Sequence, residues 1–296
     1  MRENFSIRLI SINEIPEVTN WARLEGFSPG MDDVSIYRNT DKQGVWVACL
    51  DNNPIGSIAC IKYNSSYGFI GLFIVKKEFR NNGYGVRLWK HALEYLKNVD
   101  CIGLEAAPDR LNDYAKWGFR KSSITNRWKL NGSQDLPLRN FYKDQFHSFK
   151  VVPGNKISSE AVLIYDDQRE PSPRPHFLND WLKNSHGNVS AIVDNNGMCH
   201  GFGRIRPCVL EDNEQGWRIG PLLADTPPLA ELLIRELVGD LDAQILLDCS
   251  NLNPYANYLL SSLGFEEISK TYRMYKGIQP LCPMNQVYGL ACLELG

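Results

Sequence analysis

The stretch Arg80-Asn81-Asn82-Gly83-Tyr84-Gly85 follows an apolar run, Phe69-Ile70-Gly71-Leu72-Phe73-Ile74-Val75, and opens a segment with apolar residues at Trp89, Ala92, Leu93 and Leu96. The run reads as a strand, and the i, i+3, i+4, i+7 spacing as a helix with one buried face. The first backbone N–H groups of a helix have no internal acceptor and sit at the positive end of its dipole, so a loop placed here can hold an anion such as a pyrophosphate. Gly83 and Gly85 let phosphate oxygens approach the main chain and tolerate the dihedrals of a tight turn, while Arg80 adds a charged fork. Spacing alone also leaves an ordinary strand-to-helix turn open. Two other phosphate loops do not fit: no Gly-Lys-Ser/Thr follows the first glycine, and a dinucleotide fingerprint would want glycine where Leu88 stands.

The elements that must position this loop come in two copies. Gly118-Phe119 is followed by Arg127-Trp128, and Gly264-Phe265 by Arg273-Met274, so glycines and arginines alike recur 146 positions apart (118 to 264, 127 to 273). Asp51-Asn52-Asn53 and Asp194-Asn195-Asn196-Gly197 each sit between alternating runs, as hairpin turns do. In the first copy the patterns predict a strand over 5–10, helix through 15–24, a hairpin over 45–63, the 69–75 strand and its helix, a strand over 101–106, a helix around 111–117 and a closing strand over 123–130. Alternating strands and helices around a mixed sheet make each half α/β (α+β). The expected division is residues 1–135, a linker over 136–147 within a polar, turn-rich stretch beginning at Asn131, and 148–296. The tail run Val287 to Leu293 looks like a strand, expected at the edge of a sheet.

At 296 residues the chain has room for two cores. Its net charge of -2, with both signs interspersed, advertises no polyanion-binding surface, so nucleic acid is not an expected partner. The eight cysteines are scattered without a Cys-x-x-Cys pair and read as reduced core thiols, and the five histidines show no ligand spacing, so no metal is assigned. Met1 to Phe5 lacks the apolar stretch of a signal peptide, and no run approaches the ~18 apolar residues of a membrane span. A soluble cytoplasmic protein with no membrane partner is the expectation.

The pattern Arg-x-x-Gly-x-Gly between strand and helix resembles the acetyl-CoA loop of the GNAT superfamily of N-acetyltransferases, and Tyr114-Ala115-Lys116-Trp117-Gly118-Phe119 is similar to that superfamily's Tyr-x-x-aromatic/Leu-Gly-Phe piece. The segments 25–32 and 63–71 resemble a bacterial subgroup that carries a second GNAT-like half. The resemblance implies two tandem GNAT-like domains, each a mixed, mostly antiparallel sheet flanked by helices. It implies acetyl-CoA as cofactor, held by Phe73, Ile74 and Val75 along the strand and by Arg80, Asn81, Asn82, Gly83, Tyr84 and Gly85 at the loop. The strand carrying Phe73 to Val75 would splay from the one at 101–106 to admit the pantetheine arm, with Gly71 marking a bulge and an amide N–H near Val75 facing the thioester oxygen.

Tyr114 matches the family's general acid to the departing thiolate; packing under its helix is the alternative. Asn112 is a cofactor contact or a helix cap. Glu105 is the candidate general base or else a member of a structural ion pair, and Glu25, Asp32 and Tyr63 are candidates for the acceptor site or for solvated and core positions. The second copy lacks the loop: Asp225, Pro227 and Pro228 make its helix start a poor anion site, and Leu260 stands where the offset puts Tyr114. The implied activity is direct acetyl transfer from acetyl-CoA to a primary amine, a small molecule in preference to a protein N-terminus or lysine, with a non-catalytic acetyl-CoA sensor as the rival. A homodimer is an open alternative.

Overall fold

The computed structural model describes residues 4–137 and 148–296. The expected linker therefore lies outside the described residues except at Leu136 and Pro137. The first half runs β1 (Phe5–Leu9), α1 (Ile15–Leu24), α2 (Asp33–Thr40), β2 (Val45–Leu50), β3 (Asn53–Lys62), β4 (Tyr67–Val75), α3 (Tyr84–Tyr95), β5 (Cys101–Ala106), α4 (Leu111–Ala115) and β6 (Arg120–Leu130). The second repeats the order: β7 (Phe149–Pro153), α5 (Ser159–Asp167), α6 (Pro175–Lys183), β8 (Asn188–Asp194), β9 (Cys199–Val209), β10 (Gln215–Ala224), α7 (Pro227–Val238), β11 (Ile245–Ser250), α8 (Ala256–Ser262) and β12 (Glu266–Gly277), followed by β13 (Val287–Gly289).

Local sequence explains the joints. Asp51 and Asn52 take φ of 48° and 68°, the left-handed pair that turns a two-residue hairpin between β2 and β3. α3 buries Tyr84, Leu88, Trp89 and Ala92 against the sheet, and α7 starts on prolines whose missing N–H groups cost nothing in a first turn. Among the described residues the thirteen strands form one mixed, mostly antiparallel sheet, twelve of them in the order β1-β2-β3-β4-β5-β12-β6-β11-β10-β9-β8-β7 and β13 paired with β10 off that path.

That order interleaves the two halves. β6 does not lie beside β5 of its own half. β12 from the second half pairs with β5, β6 pairs with β11, and the two closing strands pair with each other about Thr125 and Thr271, which face one another in register. The halves have exchanged closing strands, and Arg127 and Arg273, 146 positions apart, are the corresponding arginines of those two strands. Each arginine meets a carboxylate of the other half. Arg127 grips Asp248 at 2.7 and 3.1 Å, and Arg273 reaches Glu105 at 2.6 Å. Burial alone would push the Asp248 carboxyl up, but Arg127 and Arg218 outweigh it and hold it down at about 2.

The halves also share a core, in which Trp21, Val34 and Tyr37 pack with Phe177 and Trp181 and with Leu290, Cys292 and Leu295 from the last segment. That segment corrects the expected placement at an edge. β13 is not at an edge; it pairs with β10 inside the sheet. No described helix is long and apolar enough to cross a membrane.

Removing one partner of a buried pair strands the other, at a cost of about 3–5 kcal/mol. Arg273→Met is expected to lower unfolding free energy by about that much in urea titration, and adding Glu105→Leu to restore most of the loss. A single variant within about 0.5 kcal/mol of the parent would show that the pair does not hold the exchanged strand.

Candidate active site

β4 pairs with β5 only from Tyr67 to Ile70, opposite Cys101 to Leu104. Beyond Ile70 the partners part company, because β5 turns its other edge to β12 while β4 bulges. The register against β3 shifts at Leu72, whose φ is 47°, and the Ser57 hydroxyl secures the bulge by donating to the Leu72 carbonyl at 3.0 Å. Lys76 N–H bonds to Ile55 of β3 at 2.9 Å, so strand alternation turns the main chain of Ile74 the same way and that of Phe73 and Val75 into the gap. The bulge thus sits one residue past Gly71.

At the mouth of the gap, Asn81 and Gly83 take φ of 65° and 81°, and Gly83 begins α3 with no side chain capping the helix. The first-turn amides of a twelve-residue helix therefore open onto the gap. Gly83 has open space where a Cβ would stand. Arg80 lies across the entrance, its Nε donating to the Val75 carbonyl at 2.7 Å and its Nη2 to Glu25 at 2.5 Å.

The gap is the mouth of a cavity of ≈ 1040 Å³ lined by Glu25, Phe73, Ile74, Val75, Arg80, Asn81, Gly83, Gly85, Glu105 and Tyr114 among the residues singled out from the sequence. Tyr114 packs its ring 5.1 Å from Trp89, and burial pushes its phenol up to about 12, so it is neutral, with its proton in place, at any physiological pH. Glu105 accepts from Arg273 and from the hydroxyls of Thr125 at 2.9 Å and Thr271 at 2.8 Å, the arrangement of its structural reading.

Five residues lie elsewhere. Asn82 bonds to carbonyls of its own loop, and Tyr84 is buried against Phe5 at 5.2 Å. Asn112 is not among the lining residues. Asp32 turns to the second half, where Asn184 donates to it at 3.0 Å beside His186. Tyr63 donates to the carbonyl of Leu295 at 3.1 Å and so anchors the last segment of the sequence. What the sequence reading missed is the inner end, built by Arg127, Asp248, Lys270, Thr271, Leu293 and Glu294, five of them contributed by the second copy and the last segment. The repeated arginines were the available signal.

Family models for the GNAT acetyltransferases match the chain twice, over residues 12–119 as the acetyltransferase (GNAT) family and over 162–289 as an acetyltransferase (GNAT) domain. Both halves belong to the GNAT family. Among curated proteins the chain is similar to holothin acyltransferase of Pseudoalteromonas sp. (strain SANK 73390), 25% identical over 97% of this chain and 92% of that one. Among solved structures it is similar to a putative acetyltransferase of Pyrococcus horikoshii (TM-score 0.78, 22% identity, 99% and 96% of the two chains covered). A tandem GNAT protein from the clavulanic acid biosynthesis pathway has the same fold (TM-score 0.62, 12% identity, 95% and 100% covered). The chain is a tandem GNAT protein of the acyltransferase class.

The second GNAT half has the corresponding gap and fills it. β10 pairs with β11 only through Ile219 and Leu247, and β13 enters beyond, with Leu222 opposite Gly289 and Leu290 N–H bonded to the Asp248 carbonyl at 2.8 Å. Both halves place a glycine after the last paired isoleucine, Ile70-Gly71 and Ile219-Gly220. A Cβ on Gly220 would overlap the Leu290 carbonyl, and one on Gly71 the Glu294 carbonyl. Asp225, at the start of α7, is taken by Tyr165, Arg169 and His200 at 2.7–2.8 Å.

Gly71→Ala is expected to force the last segment off β4 and to destabilise the protein by about 1–3 kcal/mol in urea titration. Gly85→Ala, whose Cβ meets Val75 and Phe73 only at 3.4 and 3.5 Å, serves as the neutral control. Equal midpoints for the two variants would refute the close approach.

Proposed function

We propose that this protein is an N-acetyltransferase that moves the acetyl group of acetyl-CoA directly to a primary amine, with residues 1–135 binding the cofactor and 148–296 acting as scaffold and acceptor wall. The observation that carries this reading is the contrast between two gaps of one design, one opening beside an uncapped helix start and the other filled by β13. The diphosphate would lie on the amides of Gly83 to Val86 with Arg80, and the pantetheine arm along Phe73 and Val75. The reading is supported by seven of the residues expected to hold the cofactor, Phe73, Ile74, Val75, Arg80, Asn81, Gly83 and Gly85, which line the cavity.

In the reaction the acceptor gives up its ammonium proton to water in the cavity, and the neutral amine attacks the thioester carbonyl. A C–N bond forms, the C–S bond breaks, and the second proton released from the nitrogen leaves through the same water, which also returns a proton to Tyr114. Main-chain N–H groups turned into the gap at Phe73 and Val75 stabilise the oxyanion as it develops. The thiolate leaves with the pair of electrons and takes a proton from Tyr114, whose phenol is suited to donate because burial keeps it protonated. Both oxygens of Glu105 already accept hydrogen bonds, from Arg273, Thr125 and Thr271, so Glu105 fits the task of fixing the wall better than that of taking the amine's proton. The enclosure of the inner end by Asp248, Leu293 and Glu294 favours a small-molecule amine over a protein lysine or N-terminus. The likeness to a protein named holothin acyltransferase supports acyl transfer as the chemistry.

Calorimetric titration with acetyl-CoA is expected to give saturable binding that Gly83→Glu abolishes by placing a carboxylate at the diphosphate position. No heat from the parent protein at millimolar ligand refutes the enzyme reading. Tyr114→Phe is expected to lower kcat by about a hundredfold with cofactor affinity nearly unchanged, read as CoA release with a panel of primary amines. Unchanged turnover removes Tyr114 from the mechanism.

A further inference from the structure

Three carboxylates meet at the inner end of the cavity, and they differ in what already holds them. Glu105 has Arg273, Thr125 and Thr271. Asp248 has Arg127 on both oxygens and Arg218 at 2.6 Å. Glu294, from the last segment, has the Tyr37 hydroxyl on Oε2 at 3.3 Å, while its Oε1 is buried and accepts no hydrogen bond among the described residues. Arg218 Nη1 stands 3.8 Å from that oxygen, beyond hydrogen-bond reach, and is engaged with the Phe27 carbonyl at 3.0 Å.

A carboxylate oxygen withdrawn from water without a donor is costly, and a side chain only 4% exposed cannot recover that cost by turning outward. The backbone on both sides is fixed as well. The Glu294 carbonyl lies against Gly71, the Leu295 carbonyl takes the Tyr63 hydroxyl at 3.1 Å, and Arg174 bonds the Gly296 carbonyl at 3.3 Å. Glu294 is therefore a fixed carboxyl on the wall of the cavity that also holds Tyr114, its Oε1 without a hydrogen-bond donor among the described residues and 3.8 Å from Arg218.

We infer that Glu294 is the docking residue for the acceptor, taking the ammonium group of a small primary amine on Oε1. An ammonium carries the complementary charge and three N–H donors, whereas a hydroxyl acceptor offers one donor and no charge. The inference rests on the acetyltransferase reading and adds to it a specificity residue supplied by the last segment of the sequence and by neither repeat.

The test uses CoA thioethers bearing an ω-aminoalkyl group of two to four methylenes, each compared with the S-alkyl-CoA of equal length, by calorimetry on the full chain. The parent protein is expected to bind at least one ammonium thioether about tenfold or more tightly than its uncharged match. Glu294→Gln keeps the volume and the Tyr37 bond, and is expected to erase that preference while leaving affinity for S-alkyl-CoA unchanged. Glu294→Asp keeps the charge, withdraws it by one methylene and is expected to lose most of the preference, so the two variants do not depend on the same fold. Parent protein that binds CoA but prefers no ammonium thioether overturns the inference alone, as does a preference undiminished in both variants. Parent protein that binds no CoA at all overturns the underlying reading with it.

Discussion

Two buried guanidinium–carboxylate pairs, Arg127 with Asp248 and Arg273 with Glu105, tie each half of the molecule to the closing strand of the other, and everything at the inner end of the cavity follows from that tie. Pairs of this kind add little to stability against well-packed apolar residues, because desolvation cancels most of the attraction. What they supply here is register. Strand side chains alternate between faces, so a slip of β12 by one residue would carry Arg273 to the opposite side of the sheet and leave Glu105 buried without a cation. Thr125 and Thr271, facing each other in register on β6 and β12, both donate to Glu105 and bind the two strands to one carboxylate.

The same exchange lets one fold produce two different gaps. In each half the strand pairing stops at an isoleucine followed by glycine, and in each the glycine lets a piece of the last segment come against the main chain. At Gly220 that piece continues as β13 and takes over the hydrogen bonds of β10 and β11. At Gly71 it passes by, so Phe73 and Val75 keep their main-chain groups toward the cavity. The buried Leu290, Cys292 and Leu295 hold the segment in place, each leucine contributing roughly 1.5–3 kcal/mol of burial. A single stretch of chain thereby closes one cleft and finishes the wall of the other.

Much of this was legible in the sequence because it is local. The left-handed turn at Asn81 and Gly83, the buried face of α3 and the hairpin at Asp51-Asn52 depend on residues within a few positions of each other, and those patterns stand out. The partner of a closing strand is not local. β6 and β12 carry the same kind of sequence, so periodicity alone cannot say which lies beside β5; the choice is made by Glu105 and Asp248, more than a hundred residues from the arginines they select. The last segment shows the same limit, since Val287 to Leu293 reads as a strand while its slot is set by Gly220. Asp32 and Tyr63 were sound candidates by type, and were drawn instead into contacts with Asn184 and Leu295 that no local pattern announces.

The entrance raises one more question, since Arg80 is already paired with Glu25 where a diphosphate would lie. Magnitudes resolve it. The two side chains are 33% and 29% exposed, and a pair so open to water is worth about 0–1 kcal/mol. A diphosphate carries more charge than one carboxylate and can take helix-start amides at the same time, so on the proposed function it would displace Glu25 at small cost. Meanwhile the bond from Arg80 Nε to the Val75 carbonyl is unaffected by that exchange, and it keeps the guanidinium across the mouth of the gap. On the proposed function, Glu25 would be a placeholder that holds the fork in its working orientation, and once released it would add negative charge to the rim of the cavity.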